Sequence, residues 1–228
     1  MRVIILGSGT CVPSLERSSP AVYLKIGNKN ILVDCGSGTL HQLLKAGIDY
    51  KDIDMVFLTH FDPDHYMDLR PLIQALNWTP DFVRRKELVI VGPVGLKTFY
   101  DRKIDAEPRN NAYKITIKEI SSSLDFKDFQ VEYTKTLHNV ESIAYKFIED
   151  SKQVIITGDS DYDTKLAQFA NAVDLLIIEC AFPNNRKEEG HLIPSECGKI
   201  AQSAGVKKMV LTHIYPVDSK TGRLNKFQ

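Results

Sequence analysis

The sequence predicts an α/β protein built from two β-rich halves, and three observations predict it. Short apolar, β-branched runs recur through the whole chain; stretches with helical opening and closing signals fall between some of them; and no linker, repeat or low-complexity tract interrupts the series. At 228 residues, 43% hydrophobic and 25% charged, the chain is long enough for a sizeable core, so residues 1–228 read as a single domain.

The first half opens with "RVIIL", a buried strand, and continues through "AVYLKI", "NILVD", "MVFLT" and "LVIV". The second half supplies "YKITIKEI", "FQVEYTKT", "AYKFIE", "QVIITGD", "DLLIIEC" and "KMVLTH". Helices are predicted over "GTLHQLLKAG" (Gly38 to Gly47), "LRPLIQALNW", "YDTKLAQFANA" and "PSECGKIAQSAG", the last opened by Pro194, Ser195 and Glu196. The glycine turn "GSGTCV" after the first strand resembles the start of a dinucleotide fingerprint. Val12 stands where the third glycine belongs and Pro13 follows, so nicotinamide and flavin binding are excluded at this turn.

Twenty-nine basic and 29 acidic side chains balance, which argues against a protein made mainly to coat nucleic acid. Locally, nine basic residues between Arg84 and Lys118 face four acidic ones. With no periodic stripe they read first as a solvated face, and second as help in holding an anionic substrate. Cys11, Cys35, Cys180 and Cys197 form no C-x-x-C pair and read as reduced thiols of a cytoplasmic protein. No apolar run approaches the roughly 20 residues that span a bilayer, and the N-terminus is not a signal peptide, so no membrane partner is expected.

The chemistry concentrates in "THFDPDH". His60, Asp62, Asp64 and His65 crowd into six residues, and imidazole and carboxylate are the side chains that bind first-row divalent ions. Pro63 between the aspartates predicts a rigid loop rather than a continuing helix. His60, His138, Asp159 and His213 each follow the end of a predicted strand, where loops at one sheet edge can bring distant residues to one point. Of the six histidines, His41, on the first predicted helix, reads as structural or surface.

The ordered series "THFDPDH", "TLHNVESIAY", "ITGDSD" and "LTHIYP", preceded by "LVDCGSGT", resembles the five-motif signature of the metallo-β-lactamase superfamily. Within it, "LGSGTCVPSLERSSPAVYL" and "LVDCGSGT" look like ribonuclease Z and its phosphodiesterase relatives. The resemblance implies an αββα four-layer sandwich with a two-metal site at one edge, holding zinc, manganese or iron. By it, His60, Asp62 and His138 hold one divalent ion, Asp64, His65 and His213 the other, Asp159 bridges them, and Asp34 orients a ligating imidazole. "IIECAF" and "EGHLIPSECG" look like the segments that carry a glutamate, Glu179, and a non-ligand histidine, His191, which assist the leaving oxygen. Asp64, Glu179 and His191 are the expected catalytic residues. The implied reaction is attack on a phosphodiester by a hydroxide held between the ions, with His191 kept protonated and oriented by Glu179.

One position departs from the pattern. The superfamily usually has histidine where this chain has Asp62. A third carboxylate in the ligand set lowers Lewis acidity and favours manganese or iron over zinc. An acidic residue there is similar to the flavodiiron proteins, which makes a diiron redox protein one alternative. A ribonuclease Z-like tRNA 3′-end endonuclease is another, but its family carries a long basic arm after the histidine matching His138. Only 20 residues separate His138 from Asp159 here. The expected partner is therefore a small anionic phosphodiester, a cyclic nucleotide or cyclic phosphate, in preference to nucleic acid, with a homodimer as the expected assembly.

Overall fold

The computed structural model describes residues 1–218 and 220. Twelve strands among them form two six-stranded sheets. The first sheet runs in spatial order through β1 (Arg2–Gly7), β2 (Ala21–Ile26), β3 (Lys29–Val33), β4 (Met55–Phe57), β5 (Leu88–Gly92) and β6 (Ile115–Glu119). The second contains β7 (Leu124–Asp125), β8 (Gln130–Lys135), β9 (Ile143–Glu149), β10 (Lys152–Thr157), β11 (Leu175–Glu179) and β12 (Met209–Thr212), also in order from edge to edge. In each sheet the strands nearest the centre and one edge are parallel, β3 through β6 and β10 through β12, and the remainder antiparallel. Parallel strands deliver their C-terminal ends to one side.

Strand periodicity explains the layering. On β4, Met55 and Phe57 face inward toward the second sheet, while Val56 and the following Leu58 face outward toward helices. The inward layer joins them with Val22, Leu24, Ile31 and Val33 to Val131, Tyr145, Phe147, Val154, Ile156 and Ile177 of the opposite sheet. Phe57 meets the rings of Tyr145 and Phe147 edge-on at 5.2 and 5.1 Å, a favourable quadrupole arrangement across the interface. Tyr145 Oη also donates to the Leu58 carbonyl at 2.7 Å, tying the sheets together directly beneath the "THFDPDH" turn.

Helices cover both outer faces. α1 (Thr39–Lys45) and α3 (Leu69–Trp78) bury Leu43, Leu69, Leu72, Ile73 and Leu76 on the first sheet. α5 (Thr164–Phe169) and α6 (Pro194–Ala204) bury Leu166, Cys197, Ile200 and Ala204 on the second. Among the elements unread in the sequence are α4 (Leu96–Phe99), which continues into a π-turn over Tyr100–Ile104, and β7, only two residues long. Both are too short to carry a period.

Two expectations need correction. Pro63 opens α2 (Pro63–Tyr66), a single helical turn with Asp62 at its N-cap, rather than lying in a rigid loop; at the first helical position proline's missing N–H is no loss. Arg84, assigned to a solvated basic face, is only 2% exposed: its guanidinium donates to the carbonyls of Lys51, Ile53 and Glu87 and so closes the backbone at the strand ends remote from the ligand cluster. All four cysteines are free thiols, Cys11 exposed and the others buried. Among the described residues no helix is long and apolar enough to cross a membrane.

Candidate metal centre

Every candidate ligand leaves the structure at the C-terminal side of a strand. His60 follows β4, and the α2 turn sets Asp62, Asp64 and His65 on successive sides of one point. His138 follows β8, Asp159 follows β10 and His213 follows β12. Asp34 and His213 both take left-handed backbone angles, φ 61° and 55°. Non-glycine residues hold such angles at a cost of about 1–3 kcal/mol, so the surrounding structure must enforce them. Here Asp34 N–H donates to Phe57 O at 2.7 Å, Cys35 N–H to His65 O at 2.8 Å, and Ile214 N–H to Ser8 O at 2.8 Å.

The seven residues converge as two triads with Asp159 between them. His60, Asp62 and His138 form one group, Asp64, His65 and His213 another. Asp62 Oδ2 lies 3.7 Å from His60 Nε2 and 3.6 Å from His138 Nε2. Asp64 Oδ2 lies 3.8 and 3.4 Å from the Nε2 atoms of His65 and His213. Asp159 faces both groups, Oδ2 at 3.9 Å from His60 Nε2 and Oδ1 at 3.4 and 3.3 Å from His65 and His213. These separations exceed hydrogen bonds, yet match donors placed around an ion at about 2.0–2.2 Å from each. The Nε2 atoms of His60, His65, His138 and His213, and Asp159 Oδ1, are buried without any hydrogen-bond partner. Buried polar atoms rarely stay unpaired, and four imidazole nitrogens orphaned toward one cavity fit a metal pair.

The other ring nitrogens are mostly held. Asp34 Oδ2 accepts from His65 Nδ1 at 2.7 Å, and the Thr59 hydroxyl, donating to Asp34 at 2.9 Å, stands 3.0 Å from His60 Nδ1. One carboxylate thus orients two imidazoles, the second through Thr59. His138 Nδ1 donates to the Gly190 carbonyl at 3.1 Å. Thr59 and Gly190 escaped the sequence reading because their contribution depends on distances that no spacing reveals, although Thr59 sits one residue before the motif.

Charge follows the same geometry. The facing imidazoles of His138 and His60 hold Asp62 well below the usual carboxylate range. Burial opposes ionisation of Asp64 and Asp159, but His213 and His65 outweigh it and keep both low. Burial works against a charged His65 too, yet Asp34 and Asp159 raise it well above the ordinary histidine value. Burial, then the nearby His65, lowers His60.

Glu179 and His191 also meet. His191 Nδ1 is 3.1 Å from Glu179 Oε1, whose carboxyl accepts from the N–H groups of Ser160 and Ala181, both at 3.0 Å. Orientation of His191 by Glu179 is therefore present. Burial lowers His191, while burial and the Asp159 carboxylate push Glu179 up to about 8. His41 lies exposed on α1, apart from the cluster.

Comparison with known proteins identifies the family. Residues 29–214 match the beta-lactamase superfamily domain. Ribonuclease Z of Archaeoglobus fulgidus is 26% identical over 271 aligned positions, covering 93% of this chain and 87% of the relative. The probable metallo-hydrolase YhfI of Bacillus subtilis is 29% identical over 221 positions, covering 94% and 87%. In structure, the metallo-beta-lactamase fold protein YhfI superposes with a TM-score of 0.82 at 26% identity over 97% of this chain and 92% of its own. Human tRNase Z, short form, gives 0.80 at 25% identity over 94% and 93%.

Proposed function

The chain belongs to the beta-lactamase superfamily and is a hydrolytic enzyme; from that premise we propose that it is a phosphodiesterase, dependent on two divalent metal ions, that acts on a small phosphodiester. The observation that carries the substrate class is the path between His138 and Asp159. A four-residue loop leads into β9, which returns through a two-residue turn at Asp150–Ser151 as β10, so the segment is a plain hairpin with no projecting arm. Consistently, the alignment to the Archaeoglobus ribonuclease Z is longer than this entire chain, so that relative carries segments with no counterpart here, whereas the alignment to YhfI is not. A large folded RNA is gripped by contacts remote from the reacting bond, and such a hairpin offers none.

In this reading His60, Asp62 and His138 hold one ion, Asp64, His65 and His213 the other, with Asp159 shared. When bound, the ions supply an acidified water and positive charge against the phosphoryl oxygens. The chain's own residues do the rest. Asp34 and Thr59 fix the tautomers of His65 and His60, so that Nε2 of each faces the cavity. Glu179 holds His191 through Nδ1, and His191 in its protonated form donates from Nε2 to the departing oxygen, which leaves a neutral imidazole and an alcohol.

A second reading keeps its place because two named relatives are ribonuclease Z and tRNase Z: the chain cleaves precursor tRNA despite lacking the arm. One experiment separates them. With manganese or zinc added, bis-p-nitrophenyl phosphate and 2′,3′-cyclic nucleotides are expected to be hydrolysed, and precursor tRNA to be cut poorly or not at all. Efficient site-specific 3′-end cleavage at physiological salt would transfer the assignment to the endonuclease. An Asp159→Ala variant that kept wild-type turnover and metal content would remove the two-metal basis of both. With relatives that are hydrolases, the diiron redox alternative is not carried further.

A further inference from the structure

Beside Asp62 the surface opens into a groove of about 550 Å³ whose walls include Phe61, Val94, Phe99, Val140, Arg102 and Lys103. Its apolar side is set before any ligand arrives. The Phe61 and Phe99 rings stack at 4.5 Å and 8°, and Tyr66 meets Phe99 edge-on at 4.7 Å. Gly95 takes φ +98°, open to glycine, and the N–H groups of Gly95 and Lys97 both donate to Glu119 Oε1 at 3.0 Å, pinning the turn that carries Val94 to the end of β6. Val94 and Val140 are 54% and 41% exposed, two aliphatic side chains left in water next to a cluster of charged groups.

The polar side is cationic. Arg102 and Lys103 project from the π-turn after α4, and among the described residues neither has an ion-pair partner. Of the two acids in the lining, Asp62 belongs to the ligand cluster and Glu141 is engaged by Lys135 at 3.1 Å. Rigid apolar walls and two unpaired cations, continuous with a site that handles phosphate, complement a flat apolar group followed by an anion. The volume lies within the range that holds a ligand of nucleoside size. A preformed wall also spares the ordering cost of binding.

We propose that this groove receives one ester limb of the scissile phosphodiester, a planar apolar ring that carries a second phosphate, with Val94, Val140 and the Phe61–Phe99 stack holding the ring and Arg102 and Lys103 the phosphate. The inference rests on the phosphodiesterase reading and assigns residues that decide which limb is preferred. Its residues lie in the "THFDPDH" turn, the α4 segment and the loop after His138, three parts of the sequence with no shared motif.

Three p-nitrophenyl phosphodiesters with one leaving group test it: the methyl ester, the thymidine 5′-ester, and the thymidine 5′-ester bearing a 3′-phosphate. In metal-loaded enzyme, kcat/KM is expected to rise by at least about fivefold at each addition, ring then phosphate. Val140→Asp should shrink the thymidine-to-methyl ratio toward one. Arg102→Glu with Lys103→Glu should erase the gain from the 3′-phosphate while leaving the thymidine-to-methyl ratio in place, and in wild type that gain should fade with added salt because both cations are exposed. If the methyl ester is not hydrolysed by metal-loaded enzyme, the phosphodiesterase reading fails. If it is hydrolysed but the three esters react alike, or the variants lower all three in equal proportion, the phosphodiesterase reading stands and the groove assignment is overturned.

Discussion

Asp62 and Asp34 show at single-residue scale how the site divides its work. Asp62 stands between His60 and His138, at the position where the resemblance implies histidine. Replacing it by histidine exchanges a charged oxygen donor for a neutral nitrogen, so Asp62→His is expected to raise zinc uptake relative to manganese in a mixed-metal buffer. Identical metal ratios in variant and wild type would mean that Asp62 is not a ligand. Asp34 touches no metal position, but its carboxylate holds His65 directly and His60 through Thr59. Asp34→Asn keeps the shape and removes the charge, and metal affinity should fall about 10- to 100-fold, read by competition with a chromogenic chelator. His191 acts on a different quantity. His191→Ala should cost about 10²–10⁴-fold for an alkyl leaving group and far less for p-nitrophenolate, which departs without a proton. Equal losses on both would assign His191 to binding instead.

Two glycines separate the demands of site-bearing turns from those of a helix. A Cβ on Gly36 would lie 2.0 Å from the Asp64 carbonyl and 2.7 Å from Ser19 Cβ, so the strand β3 exit and the α2 turn approach as closely as they do only because that atom is missing. Gly36→Ala should lower stability by about 1–3 kcal/mol in urea unfolding and weaken metal uptake with it, since the turn carries Asp62, Asp64 and His65. Gly198 sits inside α6 with nothing within 4 Å of its Cβ position, and Gly198→Ala should raise stability by about 0.4–1 kcal/mol. Should Gly36→Ala match wild type in both readings, the close approach is not what shapes the site. Legibility in the sequence splits along the same line. Period-two and helical patterns marked the longer strands and α1, α3, α5 and α6, because burial of one face repeats along an element. The left-handed exits at Asp34 and His213 went unseen because they are held by hydrogen bonds from another part of the chain, and the single turn α2 and the π-turn after α4 because they are too short to carry a period. The ligand set itself was readable as residue types at strand ends; its division into two triads came from the resemblance to a known family.

Across the whole molecule, the two sheets bring buried charge from four strand ends to one place, so the apo protein holds ionised and protonated groups that a metal would reorganise. Ligation needs neutral imidazole, and each proton on a ligand competes with the ion. Burial disfavours a charged His65, but Asp34 and Asp159 raise its pKa well above the ordinary value; His138 is raised as well, by Asp62 and Asp159 against burial. A histidine with a raised folded pKa contributes stability that is complete below its unfolded value of about 6.5 and is lost as pH rises through the folded value. His60, lowered by burial and His65, runs the other way, its contribution lost as pH falls below about 6.5. In the apo protein these slopes oppose each other only near about pH 6.5; above it only the raised groups still titrate, so thermal stability should fall as pH rises toward about 8. Metal reverses that trend, because binding expels the protons on His65 and His138 and gains affinity as pH rises. The rise in Tm on adding manganese or zinc should therefore grow from pH 6 to pH 8. At a ligand excess of a thousandfold over Kd it corresponds to about 4 kcal/mol. Differential scanning measurements at three pH values, with and without chelator, provide the check. A metal-induced shift in Tm that stays constant across the range would show that His65 and His138 carry no proton to displace, and that Asp34 and Asp159 do not hold the charge on His65.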